Sequence, residues 1–220
     1  MTLESFDPSM EFKEQEIVRF FELRIGSKDQ FAIVEADHAI GQVGIKDIVR
    51  QVFQRNNTTS MIAIRPRTEV DVARRDSTEA RKAMRWAFDK VMATLGWFDM
   101  DKKPVKDIHR VCLNGIKDDR RLRYDVVIAA SYSPASDDKL AKMQDLLQEK
   151  MKDKYKVILA TSSGMGAENS GMASIGDFRN DKVYGDKFNT FQIGVSKRVR
   201  ENDRPLFIDA LSYALREIQK

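Results

Sequence analysis

Two apolar runs separated by a five-residue turn constrain this chain most. "IHRVCLNGI" (108–116) and "LRYDVVIAASY" (122–132) both have strand composition, and only the charged "KDDRR" lies between them. A connection that short suits antiparallel strands, because parallel neighbours need a crossover of about a dozen residues or more. The expectation is therefore an α+β fold: a mainly antiparallel sheet with helices packed on one face, and a long Gly-rich loop before the last strand.

The rest of the C-terminal half supports a compact domain. Pro134 closes the second run, and Ser136 is placed to cap a helix over 137–152. Leu140, Met143, Leu147 and Met151 form the apolar stripe of that helix. Asp137 and Asp138 in its first turn, with Lys150 and Lys152 in its last, suit the helix dipole. "YKVILA" (155–160) predicts a third strand. "NTFQIGVSKRV" (189–199) alternates, with Phe191, Ile193, Val195 and Val199 on one face and Gln192, Ser196 and Arg198 on the other. That period predicts a strand with one wet face. A helix over 205–219 ends the chain, with Pro205 in its first turn.

The N-terminal half divides less cleanly. Residues 1–16 are polar and predict an extended arm; 17–75 are expected to form an α/β elaboration, and 76–220 the core domain. "IVRFFELRIG" and "QFAIVEA" fit a hairpin, although the first also fits a short helix. "GIKDIVRQVFQ" predicts a helix and "TSMIAIRP" a strand closed by Pro66. The strongest helix pattern spans 77–95, capped by Asp76 and stopped by Gly96.

The stretch "KVILATSSGMGAENSGMASIG" (156–176) begins as a phosphate cradle would. Asn169 replaces the third glycine of a G-x-G-x-x-G pattern, and no helical stripe follows to receive a phosphate. The loop 161–187 instead carries Met165, Met172, Ile175, Phe178 and Tyr184, which predicts ordering against a neighbouring subunit.

Candidate chemistry is sparse. "EADH" brings Glu35, Asp37 and His38 together, residue types that could hold a metal or move a proton, but a polar turn ending a strand is the preferred reading. His109 is expected at a sheet surface or edge, and Cys112 as a small core residue without a base to activate it. A lone cysteine excludes an internal disulfide framework and suits a reducing compartment. No catalytic constellation, metal site or cofactor is predicted. No apolar run approaches the ~18 residues of a membrane span, and the acidic start shows no secretory leader. The net charge is +4, and Arg65, Arg67, Arg74, Arg75, Arg198 and Arg200 are candidate polyanion contacts. Acidic neighbours such as Glu69 and Asp71 dilute that signal, and subunit interfaces also favour arginine.

Over residues 77–200 the order of strands, helix, strand, polar loop and alternating strand resembles tail-terminator and tail-completion proteins of tailed bacteriophages. The resemblance implies a non-catalytic, ring-forming virion subunit of a neck or tail, assembled in the host cytoplasm and contacting itself and neighbouring virion proteins. The alternative is a small nucleic-acid-binding domain that uses a basic sheet face with Tyr124, Gln192 and Arg198. An enzyme built on "EADH" ranks third.

Overall fold

Helix α1 (Pro8–Phe20) runs directly into strand β1 (Phe21–Arg24), so the ambiguous run 17–26 is part helix and part strand. The computed structural model describes residues 8–66, 68–69, 78–101, 103–116, 124–129, 135–160 and 184–220. After β1 come β2 (Ala32–Ala36), α2 (Ile45–Asn56), β3 (Thr59–Ala63) and α3 (Thr78–Thr94). The second half contributes β4 (Ile108–Ile116), β5 (Val126–Ala129), α4 (Asp137–Met151), β6 (Val157–Ala160), β7 (Phe188–Ser196), α5 (Lys197–Asn202) and α6 (Arg204–Glu217). Among the described residues no helix is long and apolar enough to cross a membrane.

The strands form one sheet in the order β1-β3-β2-β4-β7-β5-β6, which carries strands from both sides of residue 76. Strand β2 is parallel to β3 and β4, β4 to β7, and β5 to β6; only β1–β3 and β5–β7 are antiparallel. This corrects the expected α+β class. The fold is α/β, with a mixed, mostly parallel sheet.

The cause is the position of β7. The short link between β4 and β5 does reverse the chain, but β7 inserts between them. It pairs parallel with β4 from Ile108↔Phe188 to Ile116↔Ser196, and antiparallel with β5 at Val126↔Val195. Opposite direction was legible; hydrogen-bonded adjacency was not.

Helices cover both faces rather than one. On one face Val34, Val111, Leu113, Phe191 and Ile193 pack with α2, α4 and α6 through Ile48, Val52, Leu140, Met143, Leu211 and Leu215. On the other, Ile33, Met61 and Ile108 pack under α1 and α3 through Ile17, Phe20, Met84, Phe88 and Val91. A small third cluster, Ile116, Tyr124, Val127, Ala129 and Ala160, lies further along that second face. Strand β7 consequently has no wet face: Gln192 is 1% exposed, and all nine residues are buried. A central strand buried on both sides cannot reveal its sidedness by water contact. The Gly-rich loop, apart from residues 184–187, lies outside the described residues.

Candidate functional site

Between the two apolar clusters of the second face the sheet carries a polar patch. Its position follows from strand period and register. Glu35 and Asp37 follow Ile33 at two-residue steps along β2 and just past its end, so all three share a face. Glu35 is registered with Cys112 on β4, and Cys112 with Gln192 on β7. Arg110 and Thr190 make the row below, nearer Ile108 and α3. Glu35, Asp37, Arg110, Cys112, Asn114, Thr190 and Gln192 are all buried, as is His38 at the start of the loop after β2.

The location has a topological reason. The chain leaves β2 through α2 towards β3 on one side, and leaves β4 towards β5 on the other. Such a reversal opens a crevice at the carboxyl ends of parallel strands, where open α/β sheets bind ligands. Asp37 and Asn114 lie at those ends.

The contacts within the patch are specific. The Arg110 guanidinium forms an ion pair with Glu35 through Nη2, stacks 4.9 Å from the Phe88 ring centroid, and approaches Met84 Sδ at 3.8 Å. The Cys112 thiol donates to Asp37 Oδ2 at 3.1 Å, and Asn114 Nδ2 lies 3.9 Å from Cys112 Sγ. The donor atoms of Glu35, Asp37 and Cys112 all lie within 4.8 Å of one another.

This packing perturbs the acids. Burial pushes the Glu35 carboxyl up to about 7; Arg110 opposes the rise and Asp37 adds to it. Burial, with Asp37 and Glu35 beside it, raises the Cys112 thiol well above its usual range. Burial works against the Arg110 charge, but Glu35 and its neighbours raise the guanidinium's pKa overall. Three buried acids share one resident cation, so the cluster must keep protons or take up a further positive charge. A carboxylate–carboxylate–thiolate set suits zinc, a borderline-soft ion that accepts both oxygen and sulfur ligands.

The reading of "EADH" as a polar turn ending a strand matches its place, since Asp37 and His38 turn just past β2, but the sequence did not show that its carboxylates are buried and brought against Cys112. The expectation for His109 is corrected. It points to the opposite face and is buried near Phe191, with its ring 6.0 Å away. Burial first, and the Lys139 charge second, lower its pKa to about 4. Arg110 and Asn114 were missed altogether. The available signal was the period of polar residues in "HRVCLN", where Arg110, Cys112 and Asn114 alternate with Val111 and Leu113 along an apolar run.

The other candidates are scattered. Tyr184 is buried within its own chain, donates to Asp89 Oδ1 at 2.7 Å, and stacks with Phe98. Met165, Met172, Ile175 and Phe178 fall outside the described residues, as do Arg67, Arg74 and Arg75. Arg65 is exposed and pairs with Glu69 at 3.8 Å. Arg198 pairs with Asp125 at 2.8 Å and stacks 5.0 Å over Tyr155. Arg200 is buried and donates to backbone carbonyls. Tyr124 and Gln192 are buried, so with Arg198 they do not form the open basic sheet face expected of a nucleic-acid binder.

No protein-family model matches the chain, and no curated protein matches its sequence. Solved structures match its fold. A gene product of Agrobacterium tumefaciens aligns with TM-score 0.57 and 9% identity, over 90% of this chain and 94% of that one. YndL in its zinc-free apo form aligns with TM-score 0.51 and 11% identity, over 96% and 92%. A carboxypeptidase A-like protein of Shewanella denitrificans OS-217 gives TM-score 0.51 and 12% identity, over 94% and 68%. At these identities the likeness is one of fold. It overturns the resemblance to phage tail-terminator proteins, which rested on an element order with β4 and β5 paired.

Proposed function

We propose that this chain is a metal-dependent hydrolase of peptide-like amide bonds, working at the carboxyl ends of β2 and β4. The observation that carries the reading is the convergence of Glu35, Asp37 and Cys112 within 4.8 Å at the sheet's switch point. Two fold neighbours support it in their descriptions, one as a zinc-free apo form and one as carboxypeptidase A-like. The reading replaces the expectation of a non-catalytic ring subunit of a phage neck or tail, and with it the virion assignment. That expectation depended on a sheet this chain does not have, and on the absence of any cluster of acids.

Asp37 and Cys112 would hold the ion, with Glu35 completing the set. Zinc bound there would supply Lewis acidity towards a substrate carbonyl oxygen. Glu35, lifted to about 7 without a metal, would release its proton on joining the ion. Arg110 fixes the Glu35 carboxylate in place, and Phe88 and Met84 close the patch from below against water. Asn114, buried near the carboxyl end of β4, directs its amide at Cys112 Sγ.

The test is metal uptake and peptide cleavage by the purified chain. Chelator-treated protein should bind zinc equimolarly and gain cleavage of a panel of short peptides, and Asp37→Asn should bind zinc more weakly and lose cleavage. A wild-type chain that neither takes up zinc nor cleaves any member of the panel overturns the reading.

A further inference from the structure

The loop between Asp37 and α2 is held down from below by one arginine. Arg200 leaves α5 and runs under the carboxyl ends of the central strands, where it is 7% exposed. Its Nε donates to the Val195 carbonyl at 3.0 Å, its Nη2 to Ile116 at 3.3 Å, and its Nη1 to Val43. These carbonyls belong to the ends of β7 and β4 and to the loop 39–44. A planar guanidinium can address three separate carbonyl directions at once; an ammonium lacks that fixed fork.

The surroundings are shaped for it. A Cβ at Gly115 would lie 2.9 Å from the Arg200 Cζ, so a side chain there would push the guanidinium out of its place. The Gly115 amide donates to Gln42 Oε1 at 2.7 Å, a second tie between the loop and β4. Gly44, at φ +86°, begins α2 against the Arg200 backbone, which in turn accepts from Arg204 Nε at 2.9 Å. The loop has its own freedom at Gly41, with φ +92°, and exposes Ile40 and Val43.

We propose that Arg200 is a positioning residue for the Glu35–Asp37–Cys112 site. Its guanidinium clamps the loop 39–44 to the end of β4, and thereby sets Asp37 against Cys112. The proposal rests on the metal-site reading above. Residues that orient metal ligands without touching the metal commonly change affinity by about 10–100-fold.

The experiment measures zinc affinity, backbone amide exchange and thermal stability for wild type, Arg200→Ala, Arg200→Lys and Gly115→Ala. Arg200→Ala should weaken zinc binding roughly 10-fold or more. Exchange should quicken across 38–44 while α4 and α6 keep their protection. Arg200→Lys should not restore affinity. Gly115→Ala should reproduce the loss with Arg200 still present, and it carries the comparison if Arg200→Ala does not fold. Low concentrations of free guanidinium should restore part of the affinity in Arg200→Ala but not in Gly115→Ala, an outcome a general loss of stability would not produce. Wild-type zinc affinity in both Arg200→Ala and Gly115→Ala overturns this proposal and leaves the metal site standing. Faster exchange in every element of both variants also overturns it, as a purely structural role. A wild-type chain that binds no zinc overturns the site reading, and the positioning role with it.

Discussion

The Cys112 thiol donates to Asp37 Oδ2 across 3.1 Å, with both side chains buried in the middle of the sheet. The contact joins the two central parallel strands by side chains as well as by backbone. It also keeps the thiol protonated, since burial and the adjacent carboxylates push its pKa well up.

A protonated, inaccessible thiol is a poor nucleophile. In the metal-free native protein Cys112 should resist thiol-modifying reagents, and it should react freely in denaturant. The rate of modification followed by mass spectrometry checks this. Rapid labelling of the native chain would mean that the thiol is not held as described.

Arg110 and Glu35 form a fully buried ion pair. Arg110→Met should cost about 3–5 kcal/mol, because it leaves a buried carboxyl without its counter-charge. The double change Arg110→Met with Glu35→Met should recover much of that loss, since apolar replacements beside Met84 and Phe88 remove both charges together. Denaturant unfolding of the two single variants and the double variant gives the coupling. Additive losses would show that the pair is not a unit.

Much of the fold was legible because helices announce themselves by period. The stripes predicted for 77–95 and 137–152 correspond to Thr78–Thr94 and Asp137–Met151. Topology was not legible, because nothing local in "NTFQIGVSKRV" says that this late strand inserts beside Ile108–Ile116 rather than at an edge. The site was half legible. Glu35 and Asp37 stood out in "EADH", but their partners lie more than seventy residues away on β4, and only the register brings Cys112 opposite Glu35. Arg110 had no reading of its own in the sequence; its role emerges only where the sheet places it beneath α3, against Met84 and Phe88.

Ile193 faces the core shared with α4 and α6 and is fully buried. Ile193→Ala should cost about 2–5 kcal/mol through lost burial and the cavity left behind. Denaturant unfolding reads the loss, and a change below ~1 kcal/mol would displace β7 from the centre of the sheet.

His109 sets a pH dependence. Its folded pKa is lowered to about 4 from 6.5, chiefly by burial and then by Lys139, against the pull of Asp107. A neutral histidine in the folded state means that the unfolded chain binds the proton more tightly. Its stabilising effect is present above pH ~6.5 and is lost as pH falls through ~4, amounting to at most about 3 kcal/mol. Glu35, raised from 4.5 to about 7, runs the other way over an overlapping range, its contribution being lost as pH rises. The two slopes partly cancel in the wild type, so the informative quantity is a difference. The stability of His109→Phe minus that of wild type should grow as pH falls from 6.5 to 4. A difference independent of pH would mean that His109 is not held neutral.

The identity of the ligands gives the most direct check of the metal site. Zinc has no colour, but cobalt(II) accepts the same ligands and reports thiolate coordination by a near-ultraviolet sulfur-to-metal charge-transfer band. If Asp37 and Cys112 hold the ion, the cobalt form of the wild type should show that band, and binding should release the Cys112 proton. Cys112→Ser keeps a hydroxyl that can still donate to Asp37, so the metal-free fold should be little changed. The band should vanish and affinity should fall, because a buried hydroxyl is a far weaker ligand than a thiolate. Asp37→Asn should weaken binding while keeping whatever band remains. Removing the metal with a chelator should lower the wild-type melting temperature and leave that of Cys112→Ser nearly unmoved, since stabilisation by a ligand follows its occupancy. A cobalt form without the band, in a protein whose Cys112 is intact, would place the ion elsewhere than between β2 and β4.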